Sequence, residues 1–335
     1  YMQAKRLVIE NQCPIDIGQM IAGKCTAEYL SGAHGSGRAL IVTDREVSGY
    51  YMKKFSEAFS GTGGVPAHVI IDGNPSSKNT EMLSAIYERL SDLDYDYVIA
   101  LGGGGVIDVA TFAASTFGKG IKSILVPTTM LSMLESVMAT HSTLHFQSRK
   151  DMIRVPMSPA YAVVDITFLK TLPARYLANG IAQIIQYGLI DDPSLLHALA
   201  SSKDLDALIE DALRIGGNIH KSQPELLAFG KDLADGIECY FRFLKYTPGE
   251  AMALSLLAHC PSVAMHRLYD RLGLPQILTE VTKDALMKRI AHSIGKPGKT
   301  VELIRIGPLK KPVIDRVPFD TALKFYETAL AEICH

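Results

Sequence analysis

The chain has 335 residues, of which 47% are hydrophobic and 21% charged, a balance that excludes a disordered or fibrous protein. Its 34 Lys and Arg against 35 Asp and Glu leave a net charge of −1. That balance excludes a surface built to track polyphosphate or to be drawn to an anionic membrane, so neither nucleic acid nor membrane is expected as a partner.

The length exceeds that of a usual single domain and predicts two, each able to bury its own core. No apolar run approaches roughly 18 residues, and the segment Met2-Gln3-Ala4-Lys5-Arg6 has no apolar stretch behind it, so the expectation is a cytoplasmic protein. The five cysteines (Cys13, Cys25, Cys239, Cys260, Cys334) are odd in number, scattered and free of any C-x-x-C. They predict free structural thiols rather than a disulfide framework or a zinc knuckle.

In chain order, short β-branched runs alternate with helical periods through the first half. Strands are predicted at Ala39–Thr43, Ala67–Ile71, Tyr97–Leu101, Ser123–Val126 and Tyr161–Val164, and helices at Ser48–Phe59, Asn79–Ser91 and Val106–Phe117. This alternation predicts an α/β fold whose N-terminal part, residues 1–171, is a doubly wound parallel sheet of Rossmann-like, nucleotide-binding type. From Pro173 onward the periods become long and helical: Tyr176–Leu189, Leu195–Ala200, Leu205–His220, Ala251–Leu272, Asp284–Ser293 and Asp320–Ile333. A mainly helical domain is expected over residues 172–335. Its one predicted extended segment is Val301–Ile306, between turns at Gly295–Lys299 and Gly307-Pro308.

Four glycines, Gly102 to Gly105, close the strand ending at Leu101 and open the helix that carries Asp108. Without side chains their backbone amides can approach a pyrophosphate at a helix N-terminus, where the dipole favours anions. The spacing is not G-x-G-x-x-G, so the turn reads either as a nucleotide or phosphate site or as a plain tight turn. No H-E-x-x-H, G-x-S-x-G or Walker string is present, which removes support for those hydrolase and phosphate-transfer classes.

The strings LGGGGVIDVATFAAST (101–116), VPTTMLSM (126–133), FLKTLPARYLANGIAQIIQYGLI (168–190) and PGEAMAL (248–254) occur in the order and spacing of one family. Over about Arg38 to Gly307 the chain resembles the 3-dehydroquinate synthase family of sugar phosphate cyclases, and looks like a divergent member of it. The resemblance implies NAD bound between a nucleotide domain and a zinc-carrying helical domain, and a homodimer. Carried over by residue, the nucleotide contacts fall on Asp44, Asp72, Lys78, Gly103, Gly104, Asp108, Thr128, Thr129, Lys150, Phe168, Leu169 and Thr171. Ile107 stands where cyclases usually have glycine, and its branched side chain is expected to crowd the pyrophosphate.

The zinc set implied by the same resemblance is missing. Gln183 takes the place of the ligating glutamate, Lys231 of one histidine and Pro248 of the other. A neutral amide, an ammonium and a residue with no side-chain donor are not a zinc set. Asp232, Asp235 and Glu250 lie nearby in sequence and read either as an oxygen-rich Mg²⁺ or Mn²⁺ site or as a solvated acidic face.

The acid–base set differs too: His141, His145, Gln186 and Asp235 replace two lysines, an asparagine and a histidine, while Glu135 keeps a carboxylate. His141 and His145, four apart, would share one face of a helix and form an acid–base pair near physiological pH, or else stand exposed on a loop. The expectation is a diverged enzyme without catalytic zinc, acting on a small molecule in the interdomain cleft. Glu135, His141, His145 and Lys150 are its candidate catalytic residues, and Tyr187 and Asp235 secondary ones. The alternatives are a non-catalytic nucleotide-binding or regulatory protein, and a 3-dehydroquinate synthase proper.

Overall fold

The computed structural model describes residues 5–7, 15–18, 25–34, 37–61, 66–74, 76, 78–147, 149–201, 204–307 and 311–334. The chain divides into two compact units, Tyr1–Pro173 and Ala174–His335.

The first unit runs β1 (Lys5–Leu7), β2 (Ile15–Gly18), α1 (Cys25–His34), β3 (Ala39–Asp44), α2 (Arg45–Ser60), β4 (Ala67–Ile71), α3 (Thr80–Leu90), β5 (Tyr97–Gly102), α4 (Gly104–Thr116), β6 (Lys122–Pro127), α5 (Met130–Leu134), β7 (His141–Phe146), β8 (Arg149–Pro156) and β9 (Tyr161–Asp165). Seven strands form one sheet in the order β1-β2-β9-β6-β5-β3-β4. Every neighbouring pair is parallel except β1 with β2. Leu40–Val42, Val98–Leu101, Ile124–Val126 and Ala162–Val164 are wholly buried, the continuous apolar runs of a sheet covered on both faces. Edge strand β4 instead exposes His68 and Ile70.

The chain moves outward from β3 to β4 and then crosses back to β5, β6 and β9, so the strand order reverses between β3 and β5. In such sheets the ligand crevice lies at the carboxyl ends of the strands beside that reversal. The glycine turn leaves β5 at this point.

The second unit comprises α6 (Ala174–Ile190), α7 (Ser194–Ser201), α8 (Leu205–Ser222), α9 (Lys231–Tyr240), α10 (Pro248–His259), α11 (Val263–Leu272), α12 (Lys283–Ile294), β10 (Thr300–Ile306), β11 (Pro312–Pro318) and α13 (Phe319–Ala331). Helices α6 and α10 cross so closely that a Cβ on Gly249 would lie 2.0 Å from the Asn179 Cα.

Several elements differ from expectation. The single period Ala251–Leu272 is two helices, because Pro261 lacks an N–H and its ring disfavours helical geometry at Cys260. Cys260 adopts φ −134°, ψ 54°, and Ser262 caps the next helix by accepting the Met265 N–H. Val301–Ile306 is joined by an antiparallel partner, β11, that the sequence did not announce. His141–Phe146 and Arg149–Pro156 pair as two antiparallel strands rather than forming a helix or loop.

Cys239, Cys260 and Cys334 are free thiols, and burial pushes the Cys260 thiol up to about 12. Cys13, the Cys25 side chain and Pro308 of the Gly307-Pro308 turn lie outside the described residues. Among the described residues no helix is long and apolar enough to cross a membrane.

Candidate functional site

Three strands of the first unit deliver their last residues to the reversal point. Asp44 ends β3 and caps α2, its Oδ1 accepting the Val47 N–H at 2.9 Å. Burial raises its carboxyl above the usual range, with the charges of Glu46 and Asp72 adding to the rise and backbone N–H groups opposing it. Beyond β4, Asp72 Oδ1 accepts from the Asn74 backbone N–H at 3.1 Å and from Asn74 Nδ2 at 2.7 Å. Gly73 between them backs onto Asp44, where a Cβ would sit 2.8 Å from the Asp44 Cβ.

Gly102 ends β5 and Gly103 is the N-cap of α4, with no side-chain cap of its own. A Cβ on Gly102 would meet the Val106 side chain at 2.8 Å, so this glycine is required by packing. On Gly103 it would lie 3.3 Å from Thr129 Cγ2, and on Gly104 3.4 Å from Ser136 Oγ. Gly103, Gly104 and Gly105 remain partly exposed, with their amides at the helix N-terminus. Ile107 is fully buried.

Opposite the turn, the Thr128 N–H donates to the Gly102 carbonyl at 3.0 Å. Thr129 closes a capping box on α5 with Ser132. After β9, Phe168 and Leu169 are buried. The Phe168 ring meets Tyr51 edge-on at 4.8 Å, and Thr171 Oγ1 shares a 2.5 Å hydrogen bond with the Tyr51 hydroxyl. The side chains of Phe168 and Thr171 therefore tie the end of β9 to α2.

A charged cluster lies one helical turn along α4 from Gly104, on the face that Asp108 shares with it. Lys78 Nζ is 2.6 Å from Asp108 Oδ2 and 2.7 Å from Asp151 Oδ1. Asp151 Oδ1 also accepts from Thr143 Oγ1 at 2.8 Å. The Asp151 N–H donates to His145 Nδ1 at 3.1 Å, and the His145 N–H donates to the Lys78 carbonyl at 2.7 Å. Since Nδ1 accepts, the neutral imidazole carries its proton on Nε2.

Burial raises the Asp151 carboxyl, but the Lys78 and Lys150 ammonium groups and the hydrogen bonds from Lys78 and Thr143 outweigh it and hold it below the usual range. Burial lowers Lys78, and the charges of Asp108 and Asp151 more than reverse this. Burial together with the two lysines pushes His145 down to about 4. Glu135 acts electrostatically on Asp108.

The structure thus brings Glu135, His145 and Lys150 to the cluster. His141 stands four residues back along β7, partly exposed, with Nδ1 3.0 Å from Thr140 Oγ1. The two histidines lie on a strand, and between Leu144 and Phe146 the hairpin register shifts. At that shift His145 turns into the protein, where it is neutral near pH 7, unlike the expected pair titrating near physiological pH. Asp151 and Thr143 were missed by sequence reasoning. The only available signal was a Lys-Asp pair inside an otherwise alternating stretch.

In the second unit, the two α6 positions to which the resemblance gives metal and acid–base roles hold the buried amides Gln183 and Gln186. Gln183 Nε2 donates to Gln186 Oε1 at 2.7 Å, and Gln186 Nε2 donates to the carbonyls of Leu227 at 3.1 Å and Phe229 at 2.7 Å. Pro248 begins α10 behind a Thr247–Glu250 capping box. Glu250 is gripped by Arg175 through two contacts of 2.7 Å, and Asp232 accepts from the Tyr326 hydroxyl at 2.7 Å. Among the described residues no three His, Cys, Asp or Glu side chains are grouped to hold a metal ion. Tyr187 is fully buried, with its ring against Gly216.

A parallel sheet whose order reverses at a glycine turn flanked by carboxylates defines the doubly wound α/β class with a crevice at its strand ends. Residues 68–179 match the 3-dehydroquinate synthase N-terminal family. The 3-dehydroquinate synthase of Clostridium kluyveri is 29% identical over 308 residues, covering 83% of this chain and 86% of that protein. That of Clostridium botulinum is 30% identical over 235 residues, covering 65% and 67%. The chain belongs to the 3-dehydroquinate synthase family, within the sugar phosphate cyclase superfamily.

Its fold is that of a 2-deoxy-scyllo-inosose synthase solved with carbaglucose-6-phosphate, NAD⁺ and Co²⁺. The TM-score is 0.80 at 19% identity, over 98% of this chain and 99% of that one. The 2-epi-5-epi-valiolone synthase ValA of Streptomyces hygroscopicus subsp. jinggangensis 5008, solved with NAD⁺ and Zn²⁺, gives 0.79 at 20% identity over 98% and 99%.

Proposed function

We propose that this chain is an NAD⁺-using enzyme of its family that acts on a small polyhydroxylated molecule and works without the zinc ligand set. The observation that carries the reading is a contrast. Gly103–Gly105 keep partly exposed backbone amides at the start of α4, whereas the positions the resemblance gives to zinc hold a hydrogen-bonded amide, an ammonium and a proline.

NAD⁺ fits the first unit. The glycine amides would take its pyrophosphate, Asp44 and Asp72 would accept from ribose hydroxyls, and Thr128 and Thr129 would flank the turn. When bound, the nicotinamide supplies hydride acceptance from a hydroxyl-bearing carbon. Glu135 and Lys150 are the groups proposed to move or hold a proton on the substrate. His145, neutral with its proton on Nε2, is a fixed donor. The zinc positions suit zinc poorly: Gln183 offers only a neutral amide oxygen, Lys231 a cation and Pro248 no side-chain donor.

Homologues named 3-dehydroquinate synthase favour a second reading, in which the chain makes 3-dehydroquinate itself. Two measurements on the purified chain separate the readings. Saturating NAD⁺ is expected to raise Tm by several degrees through binding to the folded state. No 3-dehydroquinate is expected to form, with or without added Zn²⁺. Zinc-stimulated 3-dehydroquinate formation would replace the first reading with the second.

A further inference from the structure

The chain holds Lys78 with unusual care. The Lys78 carbonyl accepts the His145 N–H, His145 Nδ1 accepts the Asp151 N–H, and Asp151 Oδ1 returns to Lys78 Nζ. The three links close into a ring that fixes the ammonium against Asp108. To close it, Asp151 takes φ +53° within β8, opposite the register shift between Leu144 and Phe146. Asparagine suits left-handed backbone at least as well as aspartate, so conformation alone does not call for a carboxylate here. What the carboxylate adds is a charge.

A buried lysine beside a helix N-terminus is ordinarily placed to meet a ligand anion. Here its charge is already matched. Lys78 and Lys150 face Asp108, Asp151 and Glu135, so even with a proton on Asp108 no positive charge is left over. Asp108 and Asp151 keep part of their side chains exposed, at 20% and 41%, and so present carboxylate lone pairs that hydroxyl groups can donate to.

We propose that Asp151 is a specificity-determining residue that serves as a built-in anion for Lys78, so that the part of the ligand lying against this cluster is an uncharged, hydroxyl-bearing group rather than a phosphate or carboxylate. The proposal rests on the nucleotide-site reading for its ligand, but its test does not.

Orthophosphate is titrated calorimetrically at low ionic strength into the full chain, Asp151→Asn and Asp151→Asn/Lys78→Met. Asparagine keeps an acceptor for Thr143 and removes the charge. The expected result is at least a tenfold gain in phosphate affinity in Asp151→Asn that disappears in the double variant. No gain in a folded Asp151→Asn chain overturns the proposal. A gain that survives loss of Lys78 also overturns it, because the phosphate then sits on the glycine turn. Asp151→Gly, at ease at this φ, is read by the same criteria where the asparagine variant folds poorly. NAD⁺ titrated into the unaltered chain is the separate control: its failure to bind sinks the nucleotide reading and leaves the phosphate comparison intact.

Discussion

The glycine turn of the first unit and the amide helix of the second are both places where the family resemblance assigns chemistry, and they have fared differently. At the turn the groups proposed to meet the ligand are backbone amides, which a side-chain exchange at Ile107 leaves in place. On α6 the resemblance puts the chemistry in side chains, and here Gln183 Nε2 donates to Gln186 Oε1 while Gln186 Nε2 donates to two backbone carbonyls. A site made of backbone is blind to most side-chain exchanges outside its glycines, whereas a site made of side chains can be exchanged residue by residue without disturbing the helix that carried it.

The comparison can be broken most forcefully at the crossing that holds α6. Gly249→Ala would put a Cβ 2.0 Å from the Asn179 Cα. It is expected to cost about 3 kcal/mol and roughly 10 °C in Tm, read by calorimetry.

Next comes the amide chain itself. Gln186→Leu leaves the carbonyls of Leu227 and Phe229 and the Gln183 amide without their partner. It should cost about 2 kcal/mol, while a chelator leaves the Tm of the unaltered chain where it was. A chelator effect as large as the mutation would mean that metal, not amide, ties this region.

The pH dependence sharpens the first unit. His145 titrates at about 4 in the folded chain against 6.5 for the ordinary side chain. The unfolded chain therefore binds the extra proton between those values, and stability falls as pH drops from about 6.5 towards 4. His259, also depressed by burial, contributes with the same sign. His145→Asn, which keeps an acceptor for the Asp151 N–H, should lose several degrees less in Tm between pH 7 and 4.5 than the unaltered chain. An identical drop would remove His145 from the account.

The smallest stability effect is expected where the functional effect is specific. Gly103→Ala brings a Cβ to 3.3 Å from Thr129 Cγ2 and should cost under about 1 kcal/mol, yet weaken NAD⁺ by about tenfold as the backbone loses its close approach.

The parallel strands and the glycine turn were legible because burial on both faces writes itself as runs such as Val98–Leu101, and because four glycines in a row leave few alternatives. The β7–β8 hairpin was not. Its buried face carries Ser142, whose hydroxyl meets Thr111 Oγ1 at 2.6 Å, so the inward positions look polar and the period of two is hidden. Asp151 was illegible for a related reason: its partner Lys78 lies 73 residues away, and only the fold brings them together. The exchanged residues at 183, 231 and 248 could be read directly, but not that two glutamines had become each other's partners. The split at Pro261 was readable in principle and lost to a helical period that continues in phase on both sides of it.

The most direct measurement is a calorimetric titration of NAD⁺ into the purified chain, once with a chelator and once with added Zn²⁺. The account predicts the same micromolar affinity in both. Binding that appears only with zinc, or no binding in either condition, would contradict it.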